Sequence, residues 1–192
     1  MADAYPSITT SPLLQPGRNC WRVEKADRAA LIVDAADYFR LARDAMLKAE
    51  EQILLIGWDV DTRIRLLTEE PRDGPPATLG PLFSWLSKHR PGLKIYILPW
   101  DEGLLHLPGR GTTILRMIRW AFDPCISLKW DSHHPLHASH HQKILAIDDK
   151  VAFCGGIDVT AGRWDRRLHR DHEPGRRRPF TRRRYDPWHD AT

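Results

Sequence analysis

No run of apolar residues in this 192-residue chain approaches the roughly 20 needed to cross a bilayer, so it does not read as membrane-spanning. Cysteine is scarce. Cys20, Cys125 and Cys154 make an odd count and lie far apart, which argues against a disulfide framework. Cys125 and Cys154 lie among apolar residues and are expected to be buried thiols in a reducing compartment. Met1 to Pro6 offers no basic segment followed by an apolar core, so a secretory signal is not expected. A cytoplasmic protein, with peripheral membrane contact at most, is the default. Five histidines (His133, His134, His137, His140, His141) crowd together, yet no cysteine or carboxylate accompanies them at ligand spacing. Pro135 also breaks any helix that would align His133 with His137, so no metal is expected.

What is present points to a folded globular protein. Apolar residues are 42%, charged residues 28%, and the eight tryptophans need a core of some size. The net charge of +4 is unevenly spread, because residues 163–184 hold ten arginines against Asp165, Asp171 and Glu173. Such a segment suits anionic headgroups or nucleic acid, and equally a solvated tail.

The stretch that organises the chain is His140 to Asp158. Ile144–Ile147 is an apolar run, Asp148-Asp149-Lys150 a polar break, and Val151–Cys154 a second run, read as buried, that ends in Gly155-Gly156. Residues two apart on a strand share a face, so His141 and Lys143 are expected to project together. An imidazole beside a fixed ammonium is the equipment for attack on a phosphate: one meets phosphorus, the other neutralises its oxygens. The paired glycines let backbone approach a ligand closely.

His141-x-Lys143, four residues, Asp148, six residues and Gly155-Gly156-x-Asp158 resemble the HxKxxxxD signature of the phospholipase D superfamily and its trailing glycine element. Asp158 departs from the Asn found in many members. Pro187-Trp188-His189-Asp190 is a second point of resemblance, since such an element follows the first signature in two-signature phospholipases D. The resemblance covers residues 17–192 and implies a central mixed sheet flanked by helices. It assigns His141 as nucleophile and Lys143 as holder of the phosphate oxygens. Asp148 would orient strand–turn elements or a facing His, and Gly155, Gly156 and Asp158 would shape the floor.

The family's chemistry joins two signatures across a pseudo-twofold axis, one His attacking and the other protonating the leaving alcohol, with no cofactor. In-line displacement puts nucleophile and leaving group on opposite sides of phosphorus, so one His–Lys pair does not easily serve both. The chain holds no second HxK and no internal repeat. A second half-site is therefore expected from homodimerisation or from a missing C-terminal half. The resemblance favours a phospholipid substrate over nucleic acid.

Taken in order, residues 1–19 read as a loose lead-in, 20–162 as the α/β domain and 163–192 as an Arg-rich continuation. Trp21-Arg22-Val23 suggests a short strand. Asp34 is placed to cap a helix carrying Tyr38, Leu41, Ala42, Ala45 and Met46 at helical spacing. Ile53–Ile56 reads as a strand buried on both sides, and Val60–Leu66 alternates like a half-exposed one. A helix is predicted over 81–90, a strand over 93–98, a loop over 102–111, a helix over 113–122 and a strand over 126–130. This alternation means α/β, a mostly parallel or mixed sheet with helices on both faces. Trp58-Asp59 and Trp100-Asp101 fall at the C-terminal ends of predicted strands, the edge where open α/β sheets bind ligands. Each pair also reads as a core tryptophan with a loop carboxylate.

Overall fold

The computed structural model describes residues 13–100, 112–135, 138, 140–173, 175 and 176. The expectations for Asp101, the 102–111 loop, His137 and the Pro187–Asp190 element therefore lie outside the described residues. The chain divides into two compact units, 1–31 and 32–192. In the first, Pro16 bridges Cys20, and the Gly17 N–H donates to the Cys20 carbonyl at 2.8 Å. The strand expected at Trp21–Val23 does not form; Trp21 is 84% exposed, with the Arg22 guanidinium over its ring. Three residues with charge on both sides have too little apolar surface to hold a ladder.

The second unit contains α1 (Ala35–Met46), β1 (Gln52–Gly57), α2 (Leu79–His89), β2 (Lys94–Pro99), α3 (Thr112–Trp120), β3 (Ile126–Leu128), β4 (Ile144–Ile147) and β5 (Val151–Cys154). The strands form one mixed sheet in the order β3-β2-β1-β4-β5. β1, β2 and β3 run parallel, joined by crossovers through α2 and α3, whereas β4 and β5 are antiparallel to their neighbours. Asp34 does occupy the N-cap of α1, but its side chain makes no capping bond there.

One face of the sheet carries the core. Ile53, Leu55, Ile95, Ile97, Leu145 and Ile147 pack with Phe39 and Met46 of α1, Leu82, Phe83 and Leu86 of α2, and Met117 and Trp120 of α3. Among the described residues the three helices all cover this face. On the reverse face Leu54, Ile56, Leu98, Ile144 and Ala146 are half-buried and Tyr96 is exposed, so β1 alternates instead of being sealed on both sides.

Two strand expectations fail for physical reasons. Val60–Leu66 is no strand: Val60 and Arg65 make isolated bridges to Val159 and Thr78, and the chain turns between them. The Asp61 carboxylate holds that turn, accepting from the Arg63 N–H at 2.9 Å and from its guanidinium. The alternation there reflects a strap whose Val60, Ile64 and Leu66 dip into the core. Val151–Cys154 is a strand but not a buried one. Among the described residues it is an edge strand, and Val151, Ala152 and Cys154 are exposed; of the two thiols expected to be buried, only Cys125 is.

Topology decides what gathers at each edge of the sheet. β1, β2 and β3 end where β4 begins and β5 ends, since Ile56 pairs with both Leu98 and Ile144, and Ile144 pairs with Cys154. Residues just after β1, just before β4 and just after β5 therefore share one edge. Asp148, beyond the far end of β4, is left at the other.

Candidate active site

The first edge assembles most of the signature. Lys143 immediately precedes β4 and its side chain turns inward, 4% exposed. There it meets the equally buried Asp158, with Nζ 3.2 Å from Oδ2. The pair has ion-pair distance without hydrogen-bond geometry, so neither Lys143 Nζ nor Asp158 Oδ1 has a hydrogen-bond partner. Buried polar atoms are ordinarily satisfied, and a cation and a carboxylate oxygen left open at the same place suit a polar ligand. The crevice beside them is lined by Tyr38, Gly57, Asp59 and Ile157 as well. At Gly57 the backbone is close: a Cβ built there would lie 3.3 Å from the Asp59 carbonyl, so a side chain would have to push that loop aside by a few tenths of an ångström.

His141 stands at the same edge but in a different layer. It is exposed, and its ring meets the edge of Trp58 with centroids 6.1 Å apart. The regular strand begins only at Ile144, so strand alternation does not place His141 and Lys143; one faces solvent and the other lies in the crevice. Trp58 stacks on Trp100 at 5.5 Å, and the Trp100 indole N–H donates to His134 Nε2 at 2.9 Å. His140 is tied to this side of the site by Asp131, whose Oδ2 lies 3.5 Å from its Nε2. His134 and His140 thus continue a wall of rings beginning at His141. Among the described residues no three His, Cys, Asp or Glu side chains converge as a metal cluster.

Gly155 and Gly156 follow β5 and are exposed, and a Cβ at either would meet nothing within 4 Å. Neither a close protein contact nor a positive φ requires glycine at these two positions. Asp148 is not brought together with His141 and Lys143. Its carboxylate sits at the opposite edge and accepts the N–H groups of Glu50 (2.8 Å), Glu51 (2.9 Å) and Gln52 (2.8 Å). Burial raises its pKa, but those three donors and the Lys150 charge prevail and hold it below the usual carboxylate range. Of the two roles considered for Asp148, orienting the strand–turn elements fits this placement, because it clamps the chain entering β1 to the β4–β5 turn.

Tyr38 is the site residue that spacing did not single out. Its place in the apolar stripe of α1 hides its second property: the phenol lines the crevice, and its pKa is pushed up to about 12 by burial, then by the charges of Asp158 and Cys154. Nothing short of the fold brings α1 against the end of β5.

Comparison with known proteins bears on the family. Over 145 residues, 72% of the chain, it is 32% identical to phospholipase D1 of Homo sapiens. Over 157 residues, 66% of the chain, it is 31% identical to phospholipase D alpha 1 of Zea mays. Over 135 residues, 69% of the chain, it is 28% identical to phospholipase D C of Dictyostelium discoideum. The chain spans only 13%, 19% and 8% of the lengths of these relatives. No protein-family model matches it. With a half-domain sheet that carries His141, Lys143 and the Gly155–Asp158 element at one edge, and relatives that are all phospholipases D, the chain belongs to the phospholipase D superfamily.

Proposed function

We propose that this chain supplies one half-site of a phospholipase D-type phosphodiesterase acting on phospholipid headgroups. The observation that carries the reading is a buried lysine without a hydrogen-bond partner at its Nζ, at the same sheet edge as an exposed imidazole. His141 attacks phosphorus, forming a P–N bond as the P–O bond to the leaving alcohol breaks. Lys143 offsets the charge that grows on the non-bridging oxygens. The departing alkoxide takes its proton from an imidazole on the opposite side of phosphorus, which a second half-site provides. Water, or a second alcohol, then gives its proton to that second imidazole, now neutral, as it attacks phosphorus, breaks the P–N bond and restores His141. Residues Gly155 and Gly156 leave room for the substrate, and Asp158 fixes the lysine.

A second reading, a half-domain that lacks turnover and keeps at most weak phosphate binding, is favoured by one specific feature. Asp158 sets a full negative charge against Lys143, and a phosphoryl group must compete with it.

The test is release of choline from phosphatidylcholine in excess chelator over a range of protein concentrations. Turnover that rises faster than linearly with concentration, and a covalently phosphorylated protein whose label survives alkali and is lost in acid, are expected. His141→Asn abolishes both while leaving the unfolding midpoint unchanged, because the residue is exposed. Turnover retained in His141→Asn overturns the assignment. A folded chain that turns nothing over, at any concentration, decides for the second reading.

A further inference from the structure

The outward side of α3 is unlike the outward sides of α1 and α2. Its inner side is well accounted for: Met117 and Trp120 are buried, Trp120 against Phe83, and Thr113 bonds Thr62 through their hydroxyls. Facing solvent are Leu115 (65% exposed), Ile118 (53%) and Phe122 (86%). These stand at i, i+3 and i+7, the spacing of a single stripe along a helix. Phe122 lies just past the last helical residue, but its N–H still donates to the Arg119 carbonyl at 3.2 Å, so the turn continues the helical path. An isolated exposed leucine is ordinary; three large apolar side chains in one line are not.

The charges beside the stripe are all of one sign. Arg119 is exposed, and Arg116 is half-buried with its Cδ and Nε lying against Gly80. No carboxylate occurs from residue 112 to 122. Asp123, which follows, is already engaged by the Ser87 hydroxyl and the Cys125 N–H. Burial, followed by the neighbouring Arg119 charge, lowers the pKa of Arg116, so the two guanidiniums are close enough to repel.

We propose that α3 is a docking surface for an anionic lipid bilayer, with Leu115, Ile118 and Phe122 set into the headgroup boundary and Arg116 and Arg119 over the lipid phosphates. An exposed apolar stripe flanked by arginines is the pattern of a helix lying in a membrane interface. A second copy of the chain fits the same surface poorly. A twofold contact through the stripe sets Arg119 against its own counterpart with no carboxylate to intervene. The surface deepens the phosphodiesterase reading, which places the substrate in a bilayer, and it is measurable without turnover.

The experiment is co-sedimentation of the full chain with phosphatidylcholine vesicles, with and without phosphatidylserine, at low and high salt. Binding is expected only with the anionic lipid, weakening as salt rises. Replacing Leu115, Ile118 and Phe122 together by serine should weaken it by about a hundredfold or more. Arg119→Gln should weaken it about fivefold. Circular dichroism melts of both variants should match the parent, since every altered side chain is exposed. Binding that survives the triple serine variant, or no binding by the parent chain, overturns the proposal. So does a parent dimer that this variant converts to monomer, which assigns the stripe to a second copy. Stripe-dependent binding by a chain without turnover defeats the phosphodiesterase reading alone; turnover without stripe-dependent binding defeats this surface alone.

Discussion

The two ends of β4 are built on opposite plans. At its start, Lys143 and Asp158 are sealed from water with hydrogen-bonding capacity left over, and His141 stands free in solvent against Trp58. At its end, Asp148 accepts three backbone N–H groups and its own N–H donates to the Gln52 carbonyl at 3.0 Å. Four residues separate Lys143 from Asp148, five steps that span on the order of 16 Å if extended. A polar group with every bond made has no capacity left for chemistry; it holds things still. Open polar groups are costly unless a ligand completes them. The lysine and Asp158 thus keep unused hydrogen-bonding capacity, whereas the carboxylate of Asp148 is taken up in holding the strands.

The largest effect that can break this contrast is at the start of β4. Asp158→Ala strands the Lys143 ammonium in the interior and should cost about 3–5 kcal/mol in denaturant unfolding. Replacing both partners with apolar side chains, Lys143→Met with Asp158→Leu, should return stability to within about 1 kcal/mol of the parent, because no buried charge remains. Phosphate affinity should vanish in the double variant although the fold persists. A cost below about 1 kcal/mol for Asp158→Ala, on the scale of a solvated ion pair, would mean that the pair is solvated and the two ends of the strand are not so different.

A smaller effect is expected at the other end. Asp148→Ala removes an ionised acceptor from three N–H groups that water can partly reach, so a loss of about 1–2 kcal/mol is expected. The loss depends on pH. The folded-state pKa of Asp148 is depressed: burial opposes this, but the N–H donors outweigh it. Its contribution is therefore complete above the unfolded carboxylate value of about 4 and disappears as pH falls through the lower folded value. Unfolding midpoints measured from neutral to acid pH should show the parent and Asp148→Ala converging at the acid end. Asp165, also depressed despite burial by the Arg166 N–H, His169 and Arg176, remains in both proteins and cancels in the difference. Parallel curves would remove Asp148 from the clamp.

How far this contrast was legible in the sequence differs between the two ends. Apolar runs and breakers locate β1, β2, α2, α3 and the β4–β5 hairpin, and strand direction then puts Trp58, Trp100 and the glycine pair at one edge. Burial of Lys143 is not legible, because it depends on Tyr38 arriving from α1 and Asp158 from beyond β5. The reach of Asp148 to Gln52 across 96 residues has no local trace. Among the described residues β5 is an exposed edge strand, and hydrophobicity does not encode the order of strands. Val60–Leu66 misleads because a strap that dips into the core at intervals copies the period of a strand.

The smallest effect sharpens the comparison most closely, since it sets neighbours against each other. Asp148 and Asp149 both have φ in the left-handed region, 53° and 52°, and the Lys150 N–H closes the turn onto the Ile147 carbonyl at 3.0 Å. This is the geometry of a hairpin turn that favours glycine at both central positions. Asp149 is exposed and lies outside the three-donor clamp. Asp149→Gly relieves the backbone at some cost in unfolded-state entropy, and a net gain of about 0.5 kcal/mol is expected. Asp148→Gly relieves the same backbone strain but deletes the acceptor of three N–H groups, so a net loss of about 1 kcal/mol is expected. Two adjacent residues with matching dihedrals should thus respond with opposite signs to one substitution, read as shifts in urea midpoint at neutral pH. If both variants shift the same way, backbone strain and not the Asp148 carboxylate governs this end of β4.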